Sequence, residues 1–178
     1  MHRRQPTLIV LVTLLLAATL QPLTPARARP LHQQQSTIRY TFPAADTVYP
    51  EGIAYHPGNG DFFVGSTNDG AIYRGNAWGN NRQLQLFLPG RTDGRTFVTG
   101  MKVNPQGQLF VAGGATGMMW MYDAVTGRLL SSFRNGIEGG FINDVTITPD
   151  GAAYFTDSLV PWIYRIKADA QGVFRFEF

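Results

Sequence analysis

Glu51, Thr99 and Asn143 stand at one offset in three recurring segments, and each carries a side-chain oxygen. The segments are Glu51-Gly52-Ile53-Ala54-Tyr55-His56-Pro57, Thr99-Gly100-Met101-Lys102-Val103-Asn104-Pro105 and Asn143-Asp144-Val145-Thr146-Ile147-Thr148-Pro149. A carboxylate, a hydroxyl and an amide brought to one axis suit a hard cation. Calcium takes roughly six to eight oxygen ligands, and magnesium demands a tighter octahedron. Such a cation polarises an ester or lactone carbonyl and lowers the pKa of bound water, which is the logic of hydrolysis. A blander reading stays open beside it. Residues lining a wet channel are polar in any case, and Asn and Asp favour turns by bonding their own backbone.

Other chemistries find little support. His56 precedes a turn proline and His32 lies near the N-terminus, so neither reads as a base or ligand. The chain has no Cys, which excludes disulfides, thiol nucleophiles and cysteine-built metal centres. Two histidines beyond the leader cannot assemble a histidine-built dismutase site. There is no Gly-x-Ser-x-Gly elbow, His-Glu-x-x-His helix or Walker loop. Gly113-Gly114-Ala115-Thr116-Gly117 is glycine-rich but runs between two strands, without the helix start that phosphate cradling needs. The stripe Met118-Met119-Trp120-Met121-Tyr122 reads as core.

Period-2 strands must position the oxygen-bearing residues. Before each turn, apolar residues alternate (Ile53 and Tyr55, Met101 and Val103, Val145 and Ile147). Each Pro is followed closely by Gly, as in Asn104-Pro105-Gln106-Gly107 and Thr148-Pro149-Asp150-Gly151, which marks a tight turn. Apolar runs follow at Phe62-Phe63-Val64, Leu109-Phe110-Val111 and Ala153-Tyr154-Phe155. Third strands are expected at 71–74, 120–123 and 162–166. Fourth strands are expected at 83–88, 128–133 and 173–178, with Leu84, Leu86 and Leu88 alternating in the first. Four antiparallel strands per repeat of about 40 to 50 residues predict an all-β fold, a β-propeller, with blades over 50–90, 97–135 and 141–178. Propellers have roughly four to eight blades, so three make a partial ring within 36–178. Thr37 to Thr41 is expected as an outer strand closing the ring against a last blade.

The N-terminus reads differently. His2, Arg3 and Arg4 precede an apolar run from Leu8 to Leu20 and an Ala26-Arg27-Ala28 cleavage pattern, so 1–28 is expected to be a secretory signal peptide and 29–35 a flexible tail. The run spans roughly 20 Å as a helix, short of the ~30 Å needed to cross a bilayer. A periplasmic or secreted location is expected, with no membrane association once the leader is cleaved. The formal charge of +3 follows the leader. Setting aside Arg3, Arg4 and Arg27 leaves 12 basic residues against 12 acidic ones, which argues against nucleic-acid binding.

Around Tyr49-Pro50-Glu51-Gly52-Ile53-Ala54, Phe141-Ile142-Asn143-Asp144-Val145-Thr146-Ile147-Thr148-Pro149-Asp150-Gly151 and Tyr154-Phe155-Thr156-Asp157-Ser158, the chain resembles the senescence marker protein/gluconolactonase family and its strictosidine-synthase-like relatives. The resemblance covers residues 36–178 and the N-terminal half of that family's six-bladed propeller. It implies a divalent cation in the channel, usually calcium, held here by Glu51 and Asn143. It also implies a further acidic residue, ligand and base, expected beyond Phe178. Thr99 and Asp144 are the candidates for substrate contact. Thr99-Gly100 departs from the family's Asn-Asp in the middle blade, and Asp144, like Asp157, competes as a turn anchor. The implied activity is metal-dependent hydrolysis of a small-molecule lactone or ester. A noncatalytic binding propeller and an inactive truncated fragment are the alternatives. Two copies closing one ring as a homodimer is the assembly expected if the half-ring is itself the product.

Overall fold

The computed structural model describes residues 37–43 and 47–178. The expected signal peptide and tail lie outside the described residues. Twelve strands form three four-stranded antiparallel sheets, each in sequence order from the inside outward. Blade 1 holds β1 (Pro50–Tyr55), β2 (Asp61–Ser66), β3 (Ile72–Asn76) and β4 (Gln85–Leu88). Blade 2 holds β5 (Met101–Val103), β6 (Gln108–Ala112), β7 (Met118–Asp123) and β8 (Leu129–Arg134). Blade 3 holds β9 (Ile142–Ile147), β10 (Ala153–Asp157), β11 (Ile163–Ala168) and β12 (Phe174–Glu177). This is the all-β propeller that the repeats predict, in three successive blades. Among the described residues no helix is long and apolar enough to cross a membrane.

The first hairpin of every blade turns where Pro and Gly require it. Gly60, Gly107 and Gly151 have φ of 77°, 75° and 81°, a region open chiefly to glycine. Their amides close the turns onto the carbonyls of His56, Asn104 and Thr148 at 3.0, 3.0 and 2.9 Å. His56 Nδ1 accepts the Gly58 amide at 3.1 Å, so this ring belongs to the turn.

Blades pack face to face, and the middle one is buried on both sides. In β6, Leu109 and Val111 face blade 1, where they join Ala54, Phe63, Ile72, Trp120 and Tyr122. The alternate residues Phe110 and Ala112 join Met119, Met121, Val145, Phe155, Tyr164 and Ile166 against blade 3. The Met118–Tyr122 stripe divides between the two cores by strand alternation, as expected of core. Each such side chain removed from water contributes about 1.5–3 kcal/mol.

Two expectations are corrected. In β4 the register slips: Ile72 faces Leu88 and Tyr73 faces Leu86, leaving Phe87 as an extra residue. This bulge breaks the period of two, so Leu84 and Leu88 are buried in different clusters while Leu86 is exposed. Of the expected ring-closing strand at 37–41, Tyr40 and Thr41 lie against blade 1. Only Thr41 pairs, in a parallel bridge to Gln83, and Tyr40 and Phe42 cross the rings of Phe62 and Tyr73 edge-on at 4.8 and 5.1 Å. These rings pack onto the cluster of Val64, Ala71, Tyr73 and Leu84, and that burial draws the segment onto blade 1.

Candidate functional site

The inner strands of the three blades meet at their starts. Thr99 N–H donates to Ala112 O within blade 2 at 2.9 Å, while Gly100 N–H donates to Asn143 O at 2.7 Å and Gly114 N–H to Ile142 O at 2.9 Å, so these last two bonds join the second and third blades through main chain beside the axis. Side chains are excluded there. A Cβ on Gly52 would overlap the Thr99 carbonyl, and one on Gly100 would overlap Asp144. The position after the oxygen-bearing residue is therefore Gly, Gly and Asp in the three blades because the first two face another blade's backbone.

This close approach brings Glu51, Asn143 and Asp144 to one cleft of about 300 Å³, which Gly52, Ile53, Gly100, Met101 and Lys102 also line. Partial burial, then the charge of Asp144, pushes the Glu51 carboxyl above its ordinary value. Asp144 Oδ1 accepts the Val145 amide at 2.8 Å, and the Asp144 amide donates to Thr156 Oγ1 at 3.3 Å. Asp144 therefore lies within β9, hydrogen-bonded to its own strand and to β10, and is a member of the cleft rather than the turn anchor that its type suggested.

Thr99 is placed elsewhere. It is 2% exposed, and its hydroxyl lies 2.8 Å from Ile142 O and 3.2 Å from Ala112 O. Both carbonyls are acceptors, so the hydroxyl is the donor, and it serves as a clamp between blades 2 and 3. Asp157 is a turn anchor: its oxygens accept from the amides of Phe141, Leu159 and Val160 and from the Tyr164 hydroxyl. Burial raises its pKa, but these donors outweigh burial and hold it below the ordinary carboxylate value.

Sequence reasoning did not single out Lys102 or Arg95. Lys102 lies one residue past the first apolar residue of its repeat, and no motif marks it as a cleft residue. Arg95 is fully buried in the 89–97 connection between blades 1 and 2. It donates to Gly70 O at 2.6 Å, Pro89 O at 2.8 Å and the Tyr122 hydroxyl, with Asp93 at 3.8 Å. Burial raises the Tyr122 phenol well above its ordinary value, against the lowering pull of the Arg95 guanidinium. The connection contains two non-glycine residues at positive φ, Arg91 at 61° and Asp93 at 56°. Trp120 Nε1 holds the Asp93 carbonyl at 3.0 Å, so core side chains of blade 2 fasten this strained loop.

Among the described residues no three His, Cys, Asp or Glu side chains form a metal-holding group. The donor set of the cleft is two carboxylates and one amide. These are hard oxygens, and they fit a divalent cation of the calcium or magnesium type that draws its remaining ligands from elsewhere.

No protein-family model and no curated protein matches the chain. Solved structures resemble it in fold. A protein from Lactobacillus plantarum is 14% identical over 74% of this chain and 41% of its own, with a TM-score of 0.55. Hydrazine synthase from Kuenenia stuttgartiensis is 17% identical over 71% of this chain and 33% of its own, with a TM-score of 0.51. The chain therefore spans under half the length of either, and at these identities the likeness is one of fold alone. Sheet order, blade packing and these neighbours together make the described chain three blades of a β-propeller.

Proposed function

We propose that this chain supplies the cation-holding part of an exported propeller hydrolase acting on a small lactone or ester. The observation that carries the reading is the convergence of Glu51, Asn143 and Asp144 on one cleft at the starts of the inner strands. Two like charges close enough to raise the Glu51 pKa are relieved by a divalent cation, which gives the pair a reason to persist beside the axis. Glu51 and Asp144 offer carboxylate oxygens and Asn143 its amide oxygen. Lys102 in the same cleft offers a cationic contact for a carboxylate or a polarised carbonyl. When bound, the cation would polarise the substrate carbonyl and acidify water. A base from outside these blades completes the reaction. Thr99 has no direct part in this reading, because its hydroxyl is committed between blades.

Thermal unfolding of the full chain with and without calcium tests the assignment. At a hundredfold excess over Kd, a ligand confined to the folded state adds about 2.7 kcal/mol, a clear rise in Tm. Glu51→Gln is expected to abolish most of that rise. An equal calcium response in wild type and variant, or none in wild type, sinks the cation reading.

A further inference from the structure

At the end of blade 1 away from Glu51 lies a second cleft, of about 370 Å³, lined by Asp61, Arg74, Asn76, Asn81, Gln83 and Gln85. Asp61 begins β2, whereas Glu51 stands beside the end of that strand, where Pro50 faces Ser66. We propose that this cleft binds a neutral saccharide, with the exposed ring of Trp78 as its flanking platform. The inference does not rest on the proposed hydrolase, since the two clefts share no residue.

Strand pairing builds the cleft. Asp61 faces Asn76 and Arg74 faces Gln85, and residues directly opposite in an antiparallel pair point to one side of the sheet. The same side carries Phe63, Ile72 and Leu88 into the core against blade 2, so at this corner the face changes from apolar to polar. Its charges offset each other. The Arg74 guanidinium stands 3.9 Å from Asp61 Oδ2, lies over the Phe87 ring and donates to Val125 O at 3.4 Å. Asp61 is fixed as well, accepting from Asn59 Nδ2 at 3.0 Å and from Asn76 Nδ2 at 2.8 Å. With its one acid and one base paired, the cleft favours a ligand without net charge. Its amides remain open. Among the described residues nothing bonds the exposed side chains of Gln83 and Gln85, and each presents a donor and an acceptor in one plane. Neighbouring sugar hydroxyls match that pattern, because each is donor and acceptor at once. Gly75 and Gly79 complete the lining, which leaves no apolar pocket to anchor a peptide side chain.

Trp78 supplies the apolar surface that the C–H face of a sugar ring takes. It stands between Asn76 and Gly79 in the β3–β4 connection, and its amide and that of Gly79 donate to Asn76 Oδ1 at 3.0 and 2.9 Å. Its ring lies against Gly60, the residue before Asp61, where a Cβ would come within 2.4 Å of it. The residue is nonetheless 65% exposed, so the ring is held in place with most of its surface open beside the cleft. A platform fixed in advance spares a ligand the cost of ordering it.

Saturation-transfer NMR on the full chain in metal-free buffer tests the site with three neutral trisaccharides, maltotriose, cellotriose and N-acetylated chitotriose, and with trialanine as a short peptide. At least one trisaccharide is expected to bind, about tenfold more tightly than trialanine or better. Replacing both open amides, Gln83→Ala together with Gln85→Ala, should weaken it several-fold, with circular dichroism unchanged because both side chains are exposed and unbonded. Trp78→Ala should weaken it several-fold and Trp78→Phe less. No binding of any trisaccharide, equal binding of trialanine, or undiminished affinity in the double variant overturns the site. Glu51→Gln keeps the two readings apart: it should remove the calcium response and leave trisaccharide affinity unchanged. A wild type that binds a trisaccharide but ignores calcium keeps the saccharide site and removes the cation, and the reverse result removes the saccharide site alone.

Discussion

At the residue scale, position on the inner strand decides which oxygen is free to do chemistry. Glu51, Thr99 and Asn143 are equivalent in sequence, yet Thr99 spends its hydroxyl on the Ile142 and Ala112 carbonyls while Glu51 stays exposed beside Asp144. The raised pKa of Glu51 has a defined sign. The folded chain holds a proton more tightly at Glu51 than the unfolded chain does, so stability falls as pH rises from the ordinary carboxylate value near 4.5 through the raised one. Without divalent cations, Glu51→Gln should therefore be more stable than wild type at neutral pH, and the difference should vanish below pH of about 4. Urea unfolding at several pH values measures this. A neutral-pH difference that persists unchanged in acid would place its origin outside Glu51 ionisation.

At the element scale, the innermost strands approach one another more closely than side chains permit. Gly100 sits against the backbone and carboxylate of Asp144, and its amide is committed to Asn143 O. Gly100→Ala should therefore part blades 2 and 3 at the mouth and cost about 1–3 kcal/mol by overpacking. The loss is expected to come with a weaker calcium response, because Asn143 and Asp144 move with the strand. A Tm within about 1 °C of wild type would mean that the strands can slide apart freely. The alternation of Leu109 and Val111 against Phe110 and Ala112 was legible in the sequence as an apolar run, and so was the strand it implied. The bulge at Phe87 was not: alternation of Leu84, Leu86 and Leu88 fits a regular strand, and only pairing with β3 reveals the extra residue.

At the scale of the whole molecule, stability is concentrated in the middle blade. Trp120, Tyr122, Phe110 and Met121 are essentially fully buried, and they belong to two different inter-blade cores. Blade 3 has charged pairs on its other face, Arg165 with Glu177 and Lys167 with Asp150, which contribute little in water. Hydrogen exchange should therefore be slowest in β6 and β7 and fastest in β12, whose residues are half-buried or exposed. Uniform protection across the twelve strands would overturn this gradient.

By itself the sequence determined the repeat, its strands and its turns, because these depend on local rules: alternation of two, glycine at positive φ and proline at preset φ. The offset shared by Glu51, Thr99 and Asn143 was equally visible, since it is a matter of counting. Only the tertiary structure decided which of those oxygens remain available, why Gly52 and Gly100 precede an Asp at the third equivalent position, and that Arg95 fastens the loop between blades. Each of these depends on the distance between chain segments some 25 to 50 residues apart, as Arg95 to Gly70 and Gly52 to Thr99 illustrate. No local preference encodes that distance.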